Sequence, residues 1–492
     1  MAFILAFDQG TTSSRSMVFD HDGRSVKLSQ KPHRQIYPQP GWVEHDPVEI
    51  WQAQIYTATE AIREFPKKAI RAVGITNQRE TTVIWERDTG LPIYNAIVWQ
   101  DRRTAAFCDK IKAEHANEIK HKTGLEVDAY FSASKVNWLL NNIPGARERA
   151  EDGELAFGTI DSWLVWKLTN GREHVTDVSN ASRTMLFNIN SLEWDNELLS
   201  LFDVPKAILP EIRSSSEVYG AIEVPEELSG ITIGGIAGDQ QAALFGQTCF
   251  LPGSVKNTYG TGCFMLQNTG DSPATPSAQI LSTVGWKIGR QTTYAIEGSV
   301  FIGGAVVEWL RDGLKIIKSS SEAEELANSV DDSAGVYFVP AFSGLGTPHW
   351  DQDARGLIIG LTRSTSRAHI AKAAIRSIAF QTADLLDALC STSGVGLHEL
   401  RVDGGAARND SLLQFQADIL QLPVVRPEVT ETTALGAAYL AGLAVDFWSS
   451  TADLEDHWTI ERRFVPLIEA SESDELRERW KDAVGRSLRW HK

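Results

Sequence analysis

The chain has 492 residues, more than one hydrophobic core usually serves, so two large domains with a cleft between them are expected. Its 42% hydrophobic and 23% charged residues are those of a folded globular chain and exclude a disordered one. A net charge of −17 without a local basic patch argues against a nucleic-acid or anionic-membrane partner.

In chain order, residues 3–8, 13–20 and 24–30 read as a three-stranded meander, with Asp22-Gly23 as a hairpin turn. Asp46, Pro47 and Glu49 open a helix carrying Ile50, Trp51, Gln54 and Ile55 at helical spacing. Ala72–Thr76 reads as a buried strand ending at the polar tetrad Asn77-Gln78-Arg79-Glu80, with Thr82–Trp85 expected as its neighbour. The stretch 205–230 is expected to be irregular because of its prolines and its Ser214-Ser215-Ser216 run, and the domain boundary is placed shortly after it. This gives domains 1–247 and 248–492.

In the second half, 255–258 and 293–296 read as strands, and the glycines from Gly298 to Gly304 introduce a helix from Ala305. Ser321 with Glu324 predicts one helix cap, and Ser473 is expected to open a C-terminal amphipathic helix. The apolar run from Ala434 to Val445 is too short for a membrane span and reads as a buried helix, so no transmembrane segment is expected. No basic region precedes the N-terminal apolar stretch, and the scattered Cys108, Cys249, Cys263 and Cys390 signal neither zinc nor disulfides, which fits a cytoplasmic protein.

The feature that points to chemistry is duplicated. Asp8-Gln9-Gly10-Thr11-Thr12 follows one apolar strand, and Tyr259-Gly260-Thr261-Gly262 follows another about half the chain later. Glycines let backbone amides approach an anion, threonines add hydroxyl donors, and a neighbouring carboxylate can serve Mg²⁺. Either loop alone would be an ordinary turn; the pair favours a two-lobed phosphate clamp. No Gly-x-x-x-x-Gly-Lys-Ser/Thr motif and no protein-kinase motif pair occurs, so phosphates are held in another way. Alternating strands and helices in two halves, each opening with a hairpin, predict an α/β fold of two related lobes.

The chain resembles the FGGY carbohydrate kinase family, and within it the members that act on glycerol. The resemblance is carried by Asp8-Gln9-Gly10-Thr11-Thr12-Ser13-Ser14-Arg15, Asn77-Gln78-Arg79-Glu80-Thr81, Trp99-Gln100-Asp101-Arg102-Arg103 and Gly238-Asp239-Gln240-Gln241. Further matches are Tyr130–Asn142 with Ser132, Lys135 and Trp138, Tyr259 to Leu266, Gly344 to Pro348, and Asp403-Gly404-Gly405-Ala406. It implies two actin-like, ribonuclease-H-like lobes around a central nucleotide cleft, ATP and Mg²⁺ as cofactors, and glycerol phosphorylated to sn-glycerol 3-phosphate.

The resemblance also assigns residues. Asp239 becomes the general base, although a lone Gly-Asp pair would more simply be a turn. Arg79, Glu80 and Asp239 would hold hydroxyls, with Trp99 and Phe264 against the carbon chain and Tyr130 and Gln240 beside it. Asp8 and Asp239 would serve Mg²⁺. Thr11, Thr12, Ser13, Arg15 and Thr261 would meet phosphates, and Gly304, Glu308, Gly405 and Asn409 would lie around the nucleoside; Gly405 also has a turn rationale. Glu308 stands where such kinases often have Gln, which leaves nucleotide preference open. A related kinase for another polyol or sugar and an actin-like assembly protein are the alternatives. A homodimer or homotetramer is implied. Some family members bind fructose 1,6-bisphosphate on a Gly- and Arg-bearing loop after a Val-Tyr-Gly segment. Here Val218-Tyr219-Gly220 is followed by Glu223, Glu226 and Glu227 without a basic residue, so neither that control nor one through a phosphorylated His is expected.

Overall fold

The computed structural model describes residues 1–275 and 280–490. A 13-stranded sheet runs through it. Its strands in the first half are β1 (Phe3–Gln9), β2 (Ser13–Phe19), β3 (Ser25–Pro32), β4 (Ile70–Asn77), β5 (Ser216–Ala221) and β6 (Thr232–Gly238). Those in the second are β7 (Val255–Tyr259), β8 (Cys263–Gly270), β9 (Leu281–Ile288), β10 (Gln291–Val300), β11 (Leu400–Asp403), β12 (Val424–Pro427) and β13 (Ile460–Phe464). Their spatial order is β13-β12-β11-β7-β8-β10-β9-β5-β6-β4-β1-β2-β3.

Two copies of one topology are visible in that order. In the first half β3, β2 and β1 form an antiparallel meander and β4 and β6 follow in parallel. In the second half β10, β8 and β7 repeat the meander, and β11 and β12 repeat the parallel pair. The halves join where β5 meets β9 at the single register pair Ser216–Ile288. Central strands β1 and β4 of the first half are buried on both faces, as their apolar runs require, whereas edge strand β3 is largely exposed.

The helices that matter for the site are α1 (Pro47–Ile62), α2 (Asp239–Gly246), α3 (Arg367–Ser393) and α4 (Thr432–Ala444). Asp46 caps α1 through the amide of Val48, with Pro47 at the first helical position as expected. Helix α4 is the run read as a buried helix, and Ala434, Leu435, Ala438 and Leu440 share one core cluster with Ile4, Ala6, Met17 and Ala237. A helix from late in the sequence thus packs on the first half's part of the sheet.

Several local expectations are corrected. Val83–Glu86 pairs with Leu155–Gly158 in a separate ribbon and not with β4, because β4 already has β1 and β6 on its two edges. The cap near 320 is Ser319, whose hydroxyl takes the amide of Glu322, two residues before the serine that the pattern selected. The C-terminal helix begins at Ala470, and Ser473 lies inside it with its hydroxyl bonded to the carbonyl of Ile419. Within 205–230, strands Glu211–Arg213 and β5 replace part of the expected irregular stretch.

Candidate active site

Register explains why distant motifs meet. Gln9 of β1, Asn77 of β4 and Gly238 of β6 are aligned neighbours, so the first hairpin turn, the segment Gln78-Arg79-Glu80 and the start of α2 all leave the same sheet edge. In the second half Thr258 of β7 aligns with Asp403 of β11, so the second turn and Gly404-Gly405 also leave one edge together. The carboxyl ends of parallel strands are where open α/β sheets place their ligands.

Arg79 is the hub. Its guanidinium grips Glu297 of β10 with both terminal nitrogens, at 2.5 and 3.0 Å, and its Nε lies 3.1 Å from Asp239 Oδ1 and 3.7 Å from Glu80 Oε1. Arg183 completes the ring, donating to Glu80 Oε1 at 2.9 Å and to Glu297 Oε1 at 3.0 Å. Burial alone would raise the Glu297 carboxyl, but Arg183 and Arg79 overcome it and hold the group down to about 2. At Gly238 a Cβ would stand 2.5 Å from Arg79 Cγ, so only glycine lets the arginine stem cross the entry to α2.

Asp239 is different from the other carboxylates of this cluster. Its side chain is 31% exposed, whereas that of Glu297 is 0% exposed. Its Oδ1 receives Arg79 Nε and the amide of Gln240 at 2.8 Å, while Oδ2 receives no described hydrogen bond. Burial pushes this carboxyl up to about 6 against the pull of Arg79, with Glu80 adding to the rise. A group so poised is ionised at neutral pH yet basic enough to take a proton.

Tyr130 and Trp99 meet edge to face at 5.5 Å, and the Arg183 guanidinium lies 5.9 Å from the Tyr130 ring. The Tyr130 loop is pinned by the buried Lys135, whose ammonium donates to the carbonyls of Ala129, Tyr130 and Phe131 at 2.6, 2.7 and 2.9 Å. The indole N–H of Trp99 donates to Thr11 Oγ1 at 2.9 Å, which ties this aromatic wall to the first turn. Gln240 and Phe264 are joined through Lys256, which reaches Gln240 Oε1 at 2.5 Å and the Phe264 carbonyl at 3.4 Å.

Both glycine-threonine turns sit at the tips of corresponding hairpins, closed by Gly10 N to Ser13 O and by Gly260 N to Gly262 O. Thr12 and Thr261 are exposed at the tips, whereas the Ser13 hydroxyl is taken by Gln30 at 2.8 Å. Asp8 and Arg15 face each other in register, with Arg15 Nη2 2.5 Å from Asp8 Oδ2, and Arg15 also reaches Glu431 before α4 at 2.7 Å. Asp8 Oδ2 is buried and ion-paired with Arg15, so this carboxylate offers an oxygen of the kind a hard cation or its water shell takes once Arg15 turns away.

Gly304 donates its amide to Gly260 O at 2.9 Å, and a Cβ on it would stand 2.8 Å from that oxygen, so this strand-to-helix turn and the second hairpin form one close-set backbone cradle. Glu308 lies exposed in the first turn of the helix Ala305–Asp312 that follows. The turn rationale given to Gly405 belongs to its neighbour: Gly404 has φ +88° and abuts the Tyr259 carbonyl, while the Cβ direction of Gly405 is open. Asn409 spends its side-chain oxygen capping the next helix through Leu412 N.

Comparison with known proteins settles the family. The N-terminal domain of the FGGY family of carbohydrate kinases matches residues 3–246, and its C-terminal domain matches residues 255–445. The chain belongs to the FGGY family of carbohydrate kinases. This kinase is 60% identical over 493 aligned residues to the glycerol kinase of Koribacter versatilis, covering 100% of this chain and 99% of the relative. It is 58% identical to that of Chromobacterium violaceum, with 99% and 98% covered. Among solved structures, Plasmodium falciparum glycerol kinase with ADP matches with a TM-score of 0.92 at 38% identity, covering 99% of this kinase and 98% of that chain. The xylulose kinase of Lactobacillus acidophilus shares the fold, with a TM-score of 0.87 at 24% identity and 99% and 98% covered.

Arg183, Glu297 and Lys256 of this cluster were not singled out from the sequence. A signal existed for two of them, since Glu297 and Lys256 are lone charges inside strands whose neighbours are apolar or uncharged.

Proposed function

We propose that this kinase transfers the γ-phosphoryl group of ATP to a terminal hydroxyl of glycerol, giving sn-glycerol 3-phosphate and ADP. The observation that carries the reading is one partly open carboxylate, Asp239, fixed by Arg79 beside Glu80 at the sheet edge that also bears a phosphate-type hairpin. The full-length identity to glycerol kinases supports the choice of acceptor.

Arg79 and Glu80 offer a fixed donor and a fixed acceptor to two hydroxyls, and Trp99 and Phe264 offer apolar faces to the C–H side of a short chain. Asp239 Oδ2 takes the proton of the attacking hydroxyl as its oxygen bonds to phosphorus and the bond to the departing ADP oxygen breaks. Thr12, Thr261 and the turn amides are the donors for phosphate oxygens, and Arg15 leaves its carboxylate partners to meet them. Mg²⁺, when bound, neutralises phosphate charge, and Asp8 together with Asp239 fits its preference for carboxylate oxygens. Gly304, Glu308, Gly405 and Asn409 belong to the nucleoside side of the same reading. It includes a homodimer or homotetramer in the cytoplasm; among the described residues no helix is long and apolar enough to cross a membrane.

Coupled ADP release with and without glycerol tests the proposal. Strong glycerol dependence is expected, together with a much lower specificity constant for pentuloses, gluconate and erythritol. Equal ADP release without glycerol would remove the assignment.

A further inference from the structure

Lys256 is fully buried on the central strand β7, yet no described carboxylate pairs with it. Its ammonium donates to three neutral oxygens: Gln240 Oε1 at 2.5 Å, Thr258 Oγ1 at 2.9 Å and the Phe264 carbonyl at 3.4 Å. A buried cation so placed is costly, and a Met of similar volume would pack with no such cost, so stability does not account for it. What the three acceptors share is location. Gln240 follows Asp239 and gives its amide to the Asp239 carboxylate, whereas Thr258 and Phe264 flank the turn Gly260-Thr261-Gly262.

We infer that Lys256 is a positioning residue for phosphoryl transfer: it fastens the Asp239-Gln240 turn of the first half to the second phosphate hairpin. The inference rests on the kinase reading above. Through Gln240 it fixes the carboxylate that meets the acceptor; through Thr258 and Phe264 it fixes the strands that aim the turn at phosphate. One side chain then sets the distance between acceptor and donor, the quantity on which a transfer without a covalent intermediate depends most steeply. Asp239, Glu297, Asp403 and Arg79 are the charged groups around it, and the attraction of the three carboxylates offsets part of the cost of its burial.

The test uses the full chain and two substitutions. Lys256→Met removes the cation with little change in volume, and Thr258→Val removes one acceptor in a residue shape that a strand accepts. For Lys256→Met, kcat at saturating glycerol and ATP should fall about 30-fold or more, while the Kd for a non-hydrolysable ATP analogue stays within about 3-fold. Thr258→Val should show the same split at about 3- to 10-fold. A folded Lys256→Met protein with parental kcat would overturn the inference. If that variant does not fold, Thr258→Val decides alone: a selective loss of kcat supports the inference, and either parental kinetics or a joint loss of kcat, nucleotide affinity and Tm overturns it. The unsubstituted kinase is assayed first, and a lack of glycerol-dependent ADP release there would refute the kinase reading and this inference with it.

Discussion

Asp239 divides its two oxygens between support and chemistry. Oδ1 is held by Arg79 and by the Gln240 amide, and Oδ2 is left over. Asp239→Asn keeps the size and the Oδ1 contacts but cannot take a proton, so kcat should fall by roughly 10²-fold or more while nucleotide affinity is kept. Stopped assays at saturating glycerol with a parallel binding titration check this; a folded variant with parental kcat would remove the base role. The sign of the pH dependence follows from the carboxyl's position at about 6. Above that value the base is ionised and active, and below it kcat/KM for glycerol should drop about tenfold per pH unit. A profile flat down to pH 5 would contradict it. Arg79, Glu80 and Asp239 were legible because short contiguous motifs carry them. Arg183 and Glu297 were not, because their meaning arises only when the turn after the helix Val178–Ala181 and strand β10, distant in sequence, bring opposite charges to one buried point.

Elements were legible where a local rule decides them and less so where pairing decides. The two hairpins follow from glycine turns between apolar strands, and α1 from its capping Asp and first-turn Pro. The partner of Val83–Glu86 could not be read, since which edge is free depends on strands far along the chain. The junction of β6 with α2 allows a prediction at this scale. Gly238→Ala, at φ −59°, carries no backbone strain, so its effect should come from the new Cβ pushing on the Arg79 stem and on the Gln241 side-chain oxygen beside it. KM for glycerol should rise by about tenfold while Kd for nucleotide is unchanged; an unchanged KM would show that the Arg79 stem has another path. The helix Ile160–Leu168 gives a second. Burial pushes its first-turn Asp161 up to about 7, although the hydroxyls of Thr159 and Thr176 oppose the shift. The folded chain therefore keeps a proton that the unfolded chain releases, and this contribution is present in acid and lost as pH rises toward 7. Asp161→Asn is free of that loss, so its Tm relative to the parent should be higher at pH 8 than at pH 5. An equal difference at both pH values would refute the linkage.

At the scale of the whole molecule the two halves are held together by charge as well as by apolar packing. Arg15 in β2 reaches Glu431 before α4 at the rim, and Arg79 at the end of β4 reaches Glu297 in β10 at depth. The surface outside them carries its own contrast: after β5, Glu223 is already paired with Arg172, and the sequence through Gly230 supplies no cation. Millimolar fructose 1,6-bisphosphate should therefore leave the rate unchanged, and inhibition abolished by substitutions in 223–227 would contradict this. The deep pair carries a heavier consequence. Glu297 takes Arg79 with both oxygens and Arg183 with one, so Glu297→Gln leaves two buried guanidiniums sharing only Glu80 and Asp239. Removing one partner of a buried pair costs about 3–5 kcal/mol, because the remaining charges stay desolvated. Arg79 should then lean on Asp239, drawing away the carboxylate that the acceptor hydroxyl needs. Glu297→Gln is thus expected to lower Tm and to lose kcat/KM for glycerol together, whereas Glu431→Gln, which leaves the half-buried Arg15 its pairing with Asp8, should cost little in Tm. Thermal unfolding followed by fluorescence, with steady-state assays on the same preparations, separates the two. Equal stability of the Glu297→Gln chain and the parent would mean that this deep ion-pair cluster adds nothing to the joining of the halves.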